Sequence, residues 1–216
     1  MIMNQNELLS QVEEKKIVPV VKLDRVSDAA PLCKALCDGG LPVAEITFRT
    51  DAAEESIRLA TKEFPEMFIG AGTIVNVEQA KRAVDAGAKF LVSPGFSRDV
   101  TAWAVENNIM IFPGTCTPTE VMMAMEYKLP VVKFFPASQY GGLATIKALA
   151  APFPSMRFMP TGGISTANIM EYLSFPKIIA CGGSWMVKDS LINEGNFDKI
   201  RELTAEAVAL VSKKEA

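Results

Sequence analysis

The sequence contains no histidine in 216 residues. Catalytic zinc sites lean on imidazole ligands, and Ser-His-Asp and Cys-His machines need an imidazole base. Those classes become poor candidates, no metal or other cofactor is expected, and acid–base chemistry falls to carboxylates, lysine, tyrosine or cysteine. Long apolar runs are also missing, so no segment is expected to span a bilayer. The opening stretch MIMNQNELLSQVEEKK is polar and acidic and has no apolar core of a signal peptide. Charge of one sign is lacking too: the net charge is -3, which gives no electrostatic footprint for nucleic acid. Cysteine is scarce, with four residues. Cys33 and Cys37, in CKALC, suit one helical face better than a metal knuckle, and Cys116 and Cys181 stand alone. Free, mostly buried thiols in a cytoplasmic protein are expected.

What remains is apolar and regular. Hydrophobic residues make up 49% of the chain and mean hydropathy is +0.19, values of a compact globule with a large core. Eight short apolar runs recur: IVPVVK (17–22), VAEITF (43–48), MFIGAGT (67–73), FLVSP (90–94), MIFPGT (110–115), VVKFFP (131–136), RFMPTGG (157–163) and IIACGGSW (178–185). Between them lie helix-like stretches. Several open at a capping residue (Ser27, Asn76, Ser97, Thr117, Ser165), and some close at glycine (Gly39, Gly87). Continuous apolar strands alternating with helices predict parallel strands covered by helices. Eight units without an interrupting linker predict an α/β fold, a (β/α)8 TIM barrel forming one domain over residues 1–216. A doubly wound open sheet is the alternative. An extra helix is expected over residues 4–15 and a closing helix over 197–213, with Ile200, Leu203, Ala207, Leu210 and Val211 at helical spacing.

In such a barrel the chemistry sits at the C-terminal ends of the strands. Polar residues fall there in nearly every unit: Lys22, then Glu45, Thr47 and Arg49, then Thr73, Ser93-Pro94-Gly95, Thr115, Lys133, Thr161-Gly162-Gly163 and Gly182-Gly183-Ser184. Lys133 is the odd one, an ammonium between Val131-Val132 and Phe134-Phe135. A desolvated lysine is driven toward the neutral amine, the form that attacks a ketone to give a Schiff base. The bland reading is a lysine that snorkels from a strand end. Of the fifteen lysines only Lys22, in VPVVKL, shares the apolar flanks and rivals it. Glu45 lies among Val43, Ala44 and Ile46, where burial favours proton transfer; an ion pair with a lysine is the structural alternative. Glu45 and Arg49 stand four residues apart in an expected extended segment, so they face one way about 13 Å apart, each free for a ligand. PTGGIS and CGGSW each bring two glycines after a strand, at the loops where barrels of this class bind phosphate, though tight turns alone would also need them. Cys116, Cys181, the tryptophans and the methionines of 122–125 read as packing, and Thr117 with Glu120 as a capping box.

The stretches EITFRT (45–50), GAGT (70–73), SPG (93–95), PG (113–114), KFFPA (133–137), PTGGIS (160–165) and GGSW (182–185) together resemble the 2-keto-3-deoxy-6-phosphogluconate aldolase family, whose members often also act as 4-hydroxy-2-oxoglutarate aldolases. The resemblance runs from the second strand to the eighth. It implies a metal-free, Schiff-base class I aldolase, usually a homotrimer, that acts on a phosphorylated keto acid and yields pyruvate. It further implies Lys133 as the Schiff-base lysine and Glu45 as the general acid/base working through a water. Arg49, Thr73 and Thr161 would hold the carboxylate end, Gly162, Gly163 and Ser184 the phosphate, with Pro94 and Phe135 lining the pocket. Two positions depart from the pattern: Ser138 stands where an acid is expected, and Lys22 ends the first strand. Two other readings stay open, an aldolase for the 6-phosphogalactonate-derived keto acid and a non-aldolase phosphosugar-binding barrel.

Overall fold

The computed structural model describes residues 5–212. After helix α1 (Gln5–Lys15) come strands β1 (Ile17–Val21), β2 (Val43–Thr47), β3 (Phe68–Gly72), β4 (Phe90–Val92), β5 (Met110–Phe112), β6 (Gly114–Thr115), β7 (Val131–Phe134), β8 (Arg157–Pro160) and β9 (Cys181–Gly183). The intervening helices are α2 (Ala29–Asp38), α3 (Ala53–Glu63), α4 (Val77–Asp85), α5 (Arg98–Glu106), α6 (Pro118–Glu126), α7 (Gly142–Ala150), α8 (Ile169–Leu173) and α9 (Asp189–Asn193), and α10 (Phe197–Ser212) closes the described chain. The expected first and last helices are therefore present within the described residues.

One sheet runs β5-β4-β3-β2-β1-β9 and a second runs β6-β7-β8, all pairings being parallel. The single strand expected over 110–115 is cut in two at Pro113, which has no N–H to give to a ladder. Across the other seam, isolated bridges join Phe158 to Ile178 and Thr161 to Gly182. The result is a curled parallel α/β sheet. Every residue of β2, β3 and β7 is buried, so these strands need apolar side chains on both faces. Among the described residues no helix is long and apolar enough to cross a membrane.

The strands stop earlier than their apolar runs. β1 ends at Val21, one residue before Lys22, and β2 ends at Thr47, so Arg49 lies in a turn and the extended spacing expected between Glu45 and Arg49 does not hold. Asn76 and Ser97 cap α4 and α5 through their side chains, and Thr117 with Glu120 forms the expected capping box. Ser27 falls instead inside a short 3-10 turn, Val26–Asp28, and α8 begins at Ile169, beyond Ser165. The four thiols are free. Met122 and Met125 do not pack as expected; they are exposed on α6.

Candidate active site

Lys133 and Glu45 meet inside the fold. The Lys133 Nζ stands 3.4 Å from Glu45 Oε1, with residue exposures of 4% and 1%. Neighbouring strands hold both backbones. Lys133 N–H donates to the Pro113 carbonyl at 2.9 Å, and the Thr115 hydroxyl donates to the Lys133 carbonyl at 3.2 Å. At 3.4 Å the pair is longer than a tight charge-assisted hydrogen bond of about 2.8 Å, so the ammonium is loosely tied. Glu45 Oε2 is buried with no hydrogen-bond partner. A buried, half-satisfied acid of this kind costs stability and has an acceptor to spare for a water or a substrate hydroxyl.

Room for that carboxylate comes from β3. Glu45 is registered opposite Gly70, and Thr47 opposite Gly72. A Cβ on Gly72 would lie 2.1 Å from Glu45 Oε1, so only glycine lets the side chain lie where it does. The next residue, Thr73, has φ 57, a left-handed backbone that is costly for a β-branched residue, on the order of 1–3 kcal/mol. Its flanks are pinned: Phe48 N–H donates to the Gly72 carbonyl and Ile74 N–H to the Val92 carbonyl. Strain of this sort persists only where surrounding structure enforces it.

Of the remaining expected residues, Phe135 lies against this pair. The Phe135 ring centroid is 5.0 Å from Lys133 Nζ, a cation–π contact. Pro94 is half-buried, and its carbonyl packs so tightly on Gly114, the residue registered opposite Lys133, that a Cβ there would stand 2.2 Å away. Arg49 is exposed, and its Nε donates to Thr47 Oγ1 at 3.0 Å. Thr161 Oγ1 is buried and unpartnered, and Gly182 makes space for it, since a Cβ there would come within 2.3 Å.

The Gly162-Gly163 loop lies beside β9 through the Thr161–Gly182 bridge, and Gly182 and Gly183 fall inside that strand, not in the loop after it as expected. Gly162 and Gly163 have φ +101 and +74, conformations in which glycine alone is unstrained. Carbonyls of this loop are spent: Thr161 O and Gly162 O accept from Ala137 and Ser138 N–H. The Gly162 and Gly163 amides donate to no protein backbone acceptor among the described residues. Gly163 and Ser184 are exposed, open to a ligand. Asn168 ties the loop down, donating to the Gly163 carbonyl and accepting from Ser165 N–H. Ser138 packs against Gly163, where a Cβ would stand 2.0 Å from its Oγ. Burial raises the Tyr172 phenol, and a hydrogen bond from the Ser138 side opposes that shift.

Lys22 separates from the pair. Its ammonium lies 2.7 Å from Asp24 and 3.8 Å from Asp189. The hydrogen bond to Asp24 raises its pKa, which favours the cation and opposes a nucleophilic role. Sequence reasoning passed over Gly72 as the residue that seats Glu45. The alternate glycines of GAG, both on one face of a strand, are the signal that marked it.

A family model described as KDPG and KHG aldolase matches residues 8–203. The 2-dehydro-3-deoxy-phosphogluconate aldolase of Treponema pallidum is 44% identical over 204 residues, covering 94% of this chain and 97% of that protein. The KDPG aldolase of Legionella pneumophila, solved with pyruvate captured as a covalent carbinolamine, superposes with TM-score 0.89 at 36% identity, over 92% of this chain and 97% of its own. The 2-keto-3-deoxy-6-phosphogluconate aldolase of Zymomonas mobilis, solved with 3-phosphoglycerate, gives TM-score 0.89 at 37% identity, over 95% and 96%.

Proposed function

The chain belongs to the KDPG and KHG aldolase family, and from that premise we propose that it cleaves 2-keto-3-deoxy-6-phosphogluconate to pyruvate and glyceraldehyde 3-phosphate through a Schiff base on Lys133. The observation that carries this reading is the buried Lys133–Glu45 pair at 3.4 Å. Well-packed apolar residues serve stability as well as a buried ion pair does or better, so chemistry is the better reason to keep one.

Glu45 takes a proton from the ammonium and frees the amine, which attacks the C2 ketone. The carbinolamine hydroxyl regains that proton from Glu45 and leaves as water, giving an iminium that is an electron sink. Glu45, directly or through a water, then accepts the C4 hydroxyl proton as the C3–C4 bond breaks and its electrons flow into the iminium. Glyceraldehyde 3-phosphate departs, Glu45 returns the proton to C3 of the enamine, and hydrolysis frees pyruvate and Lys133. One carboxylate thus carries each of two protons in turn, and no imidazole takes part.

Arg49, Thr73 and Thr161 hold the carboxylate end in this reading; their support is an exposed guanidinium, a strained backbone and an unpartnered buried hydroxyl. Gly162, Gly163 and Ser184 receive the phosphate, supported by the positive φ of both glycines and their unspent amides. Pro94 and Phe135 wall the pocket. We further read the two sheets as one closed (β/α)8 barrel and a single domain, for which the isolated Phe158–Ile178 and Thr161–Gly182 bridges and the common run of β5 into β6 speak. A homotrimer follows from the family resemblance; Val75, Met122 and Met125, exposed here, are side chains such packing would cover. Cytoplasmic location suits the free thiols. A place in the Entner–Doudoroff route follows from the substrate, and 4-hydroxy-2-oxoglutarate cleavage is a second activity, supported by the family's description.

The test is incubation with pyruvate and borohydride followed by mass mapping. A single reduced adduct on Lys133 is expected; no adduct, or one on Lys22, overturns the assignment. Cleavage rates on the phosphogluconate-derived and phosphogalactonate-derived keto acids and on 4-hydroxy-2-oxoglutarate decide the substrate, the first being expected to lead.

A further inference from the structure

The turn that carries Arg49 is clamped on both sides. Thr47, buried at the end of β2, donates its hydroxyl to the Val21 carbonyl at 2.8 Å and accepts from Arg49 Nε at 3.0 Å. Two residues beyond β1, the Leu23 carbonyl accepts from the Thr50 hydroxyl. The threonines of Thr47-Phe48-Arg49-Thr50 thus lash the turn to the end of β1, and the intervening Phe48 N–H is held by the Gly72 carbonyl. An exposed arginine ordinarily samples many rotamers, and fixing it has an entropic cost. Here Nε is bound, which sets the plane of the guanidinium and leaves its two terminal nitrogens to form a fork toward a carboxylate.

We propose that Thr47 is a positioning residue for substrate: its hydroxyl, fixed by the Val21 carbonyl, aims the Arg49 guanidinium at the carboxylate of the keto acid. This rests on the reading of Arg49 given above. A contact to a carboxylate that persists from ground state to products acts on binding more than on the chemical step. Loss of the aim therefore raises KM and spares kcat.

The experiment is a double-mutant cycle on cleavage kinetics with Thr47→Val, Thr47→Ser, Arg49→Ala and Thr47→Val/Arg49→Ala. Thr47→Val, nearly isosteric, is expected to raise KM roughly tenfold, the scale of one lost charge-assisted hydrogen bond, with kcat within about twofold. Thr47→Ser is expected to restore KM. In the Arg49→Ala background Thr47→Val is expected to add nothing, because Thr47 acts through Arg49. A wild-type KM in Thr47→Val, or an effect that persists without Arg49, overturns the positioning role while the Arg49 reading stands. A wild-type KM in Arg49→Ala instead overturns the Arg49 reading itself. Should Thr47→Val lower only thermal stability and leave KM alone, Thr47 is structural and the proposal fails.

Discussion

Gly72→Ala is the sharpest single perturbation. The backbone at Gly72 is extended strand and accepts alanine, so any effect comes from the added methyl. That methyl would stand 2.1 Å from Glu45 Oε1, 2.6 Å from Cγ and 2.7 Å from Cδ. Restoring ordinary contact at about 3.4 Å moves the carboxylate by about 1.3 Å, against a separation of 3.4 Å from Lys133 Nζ. A displacement near 1 Å at a proton-transferring group costs on the order of 10²-fold in rate. Overpacking adds a stability loss of about 1–3 kcal/mol. Gly70→Ala is the control, since its methyl would strike the Phe90 ring at 2.3 Å and not Glu45. Gly95→Ala is the blank, with nothing within 4 Å. Pyruvate release, coupled to lactate dehydrogenase and normalised to folded protein by near-ultraviolet circular dichroism, is the assay. Gly72→Ala is expected to lose kcat about 10²-fold, Gly70→Ala to lose stability but keep kcat, and Gly95→Ala to lose neither. A folded Gly72→Ala enzyme with wild-type kcat would refute the seating of Glu45 and with it the proton shuttle.

Lys133→Met should abolish cleavage and borohydride trapping and, by leaving Glu45 buried and alone, cost about 3–5 kcal/mol in urea unfolding. Adding Glu45→Leu should recover that stability without activity; a double variant no more stable than Lys133→Met argues against a buried pair. Thr161→Val removes a hydroxyl that has no partner in the fold, so unfolding should stay within about 0.5 kcal/mol of wild type while KM rises; a large stability loss would show that the hydroxyl has a structural bond. Burial pushes the Cys33 thiol up to about 12 and raises Cys181 as well. The folded state then holds protons that the unfolded chain releases above about pH 8.5. Stability should fall as pH rises from there toward 12, by up to about 1.4 kcal/mol per unit for each fully buried thiol. Urea midpoints that are flat across that window, or unchanged by Cys33→Ala, would contradict it.

Much was legible in the chain itself. Apolar runs at regular intervals with helix-like segments between them name a parallel α/β sheet, because strands buried on both faces carry no polar alternation. Lys133 announced itself because an ammonium amid valines and phenylalanines needs a reason, and Gly162-Gly163 because the pair follows a strand, whereas Gly182 and Gly183 turned out to lie inside β9. The ends of elements were less legible. Lys22 and Arg49 fell outside their strands, Ser27 and Ser165 lost the caps expected of them, and Met122 and Met125 turned outward, since neighbouring segments decide where hydrogen bonds stop. Only the folded molecule decided which lysine faces the acid. Lys22 and Lys133 look alike in their flanks, yet Asp24 keeps one a cation at the rim while strand register brings the other to Glu45. Register across strands far apart in the chain is a property of packing, and local sequence does not encode the 88 residues that separate Glu45 from Lys133.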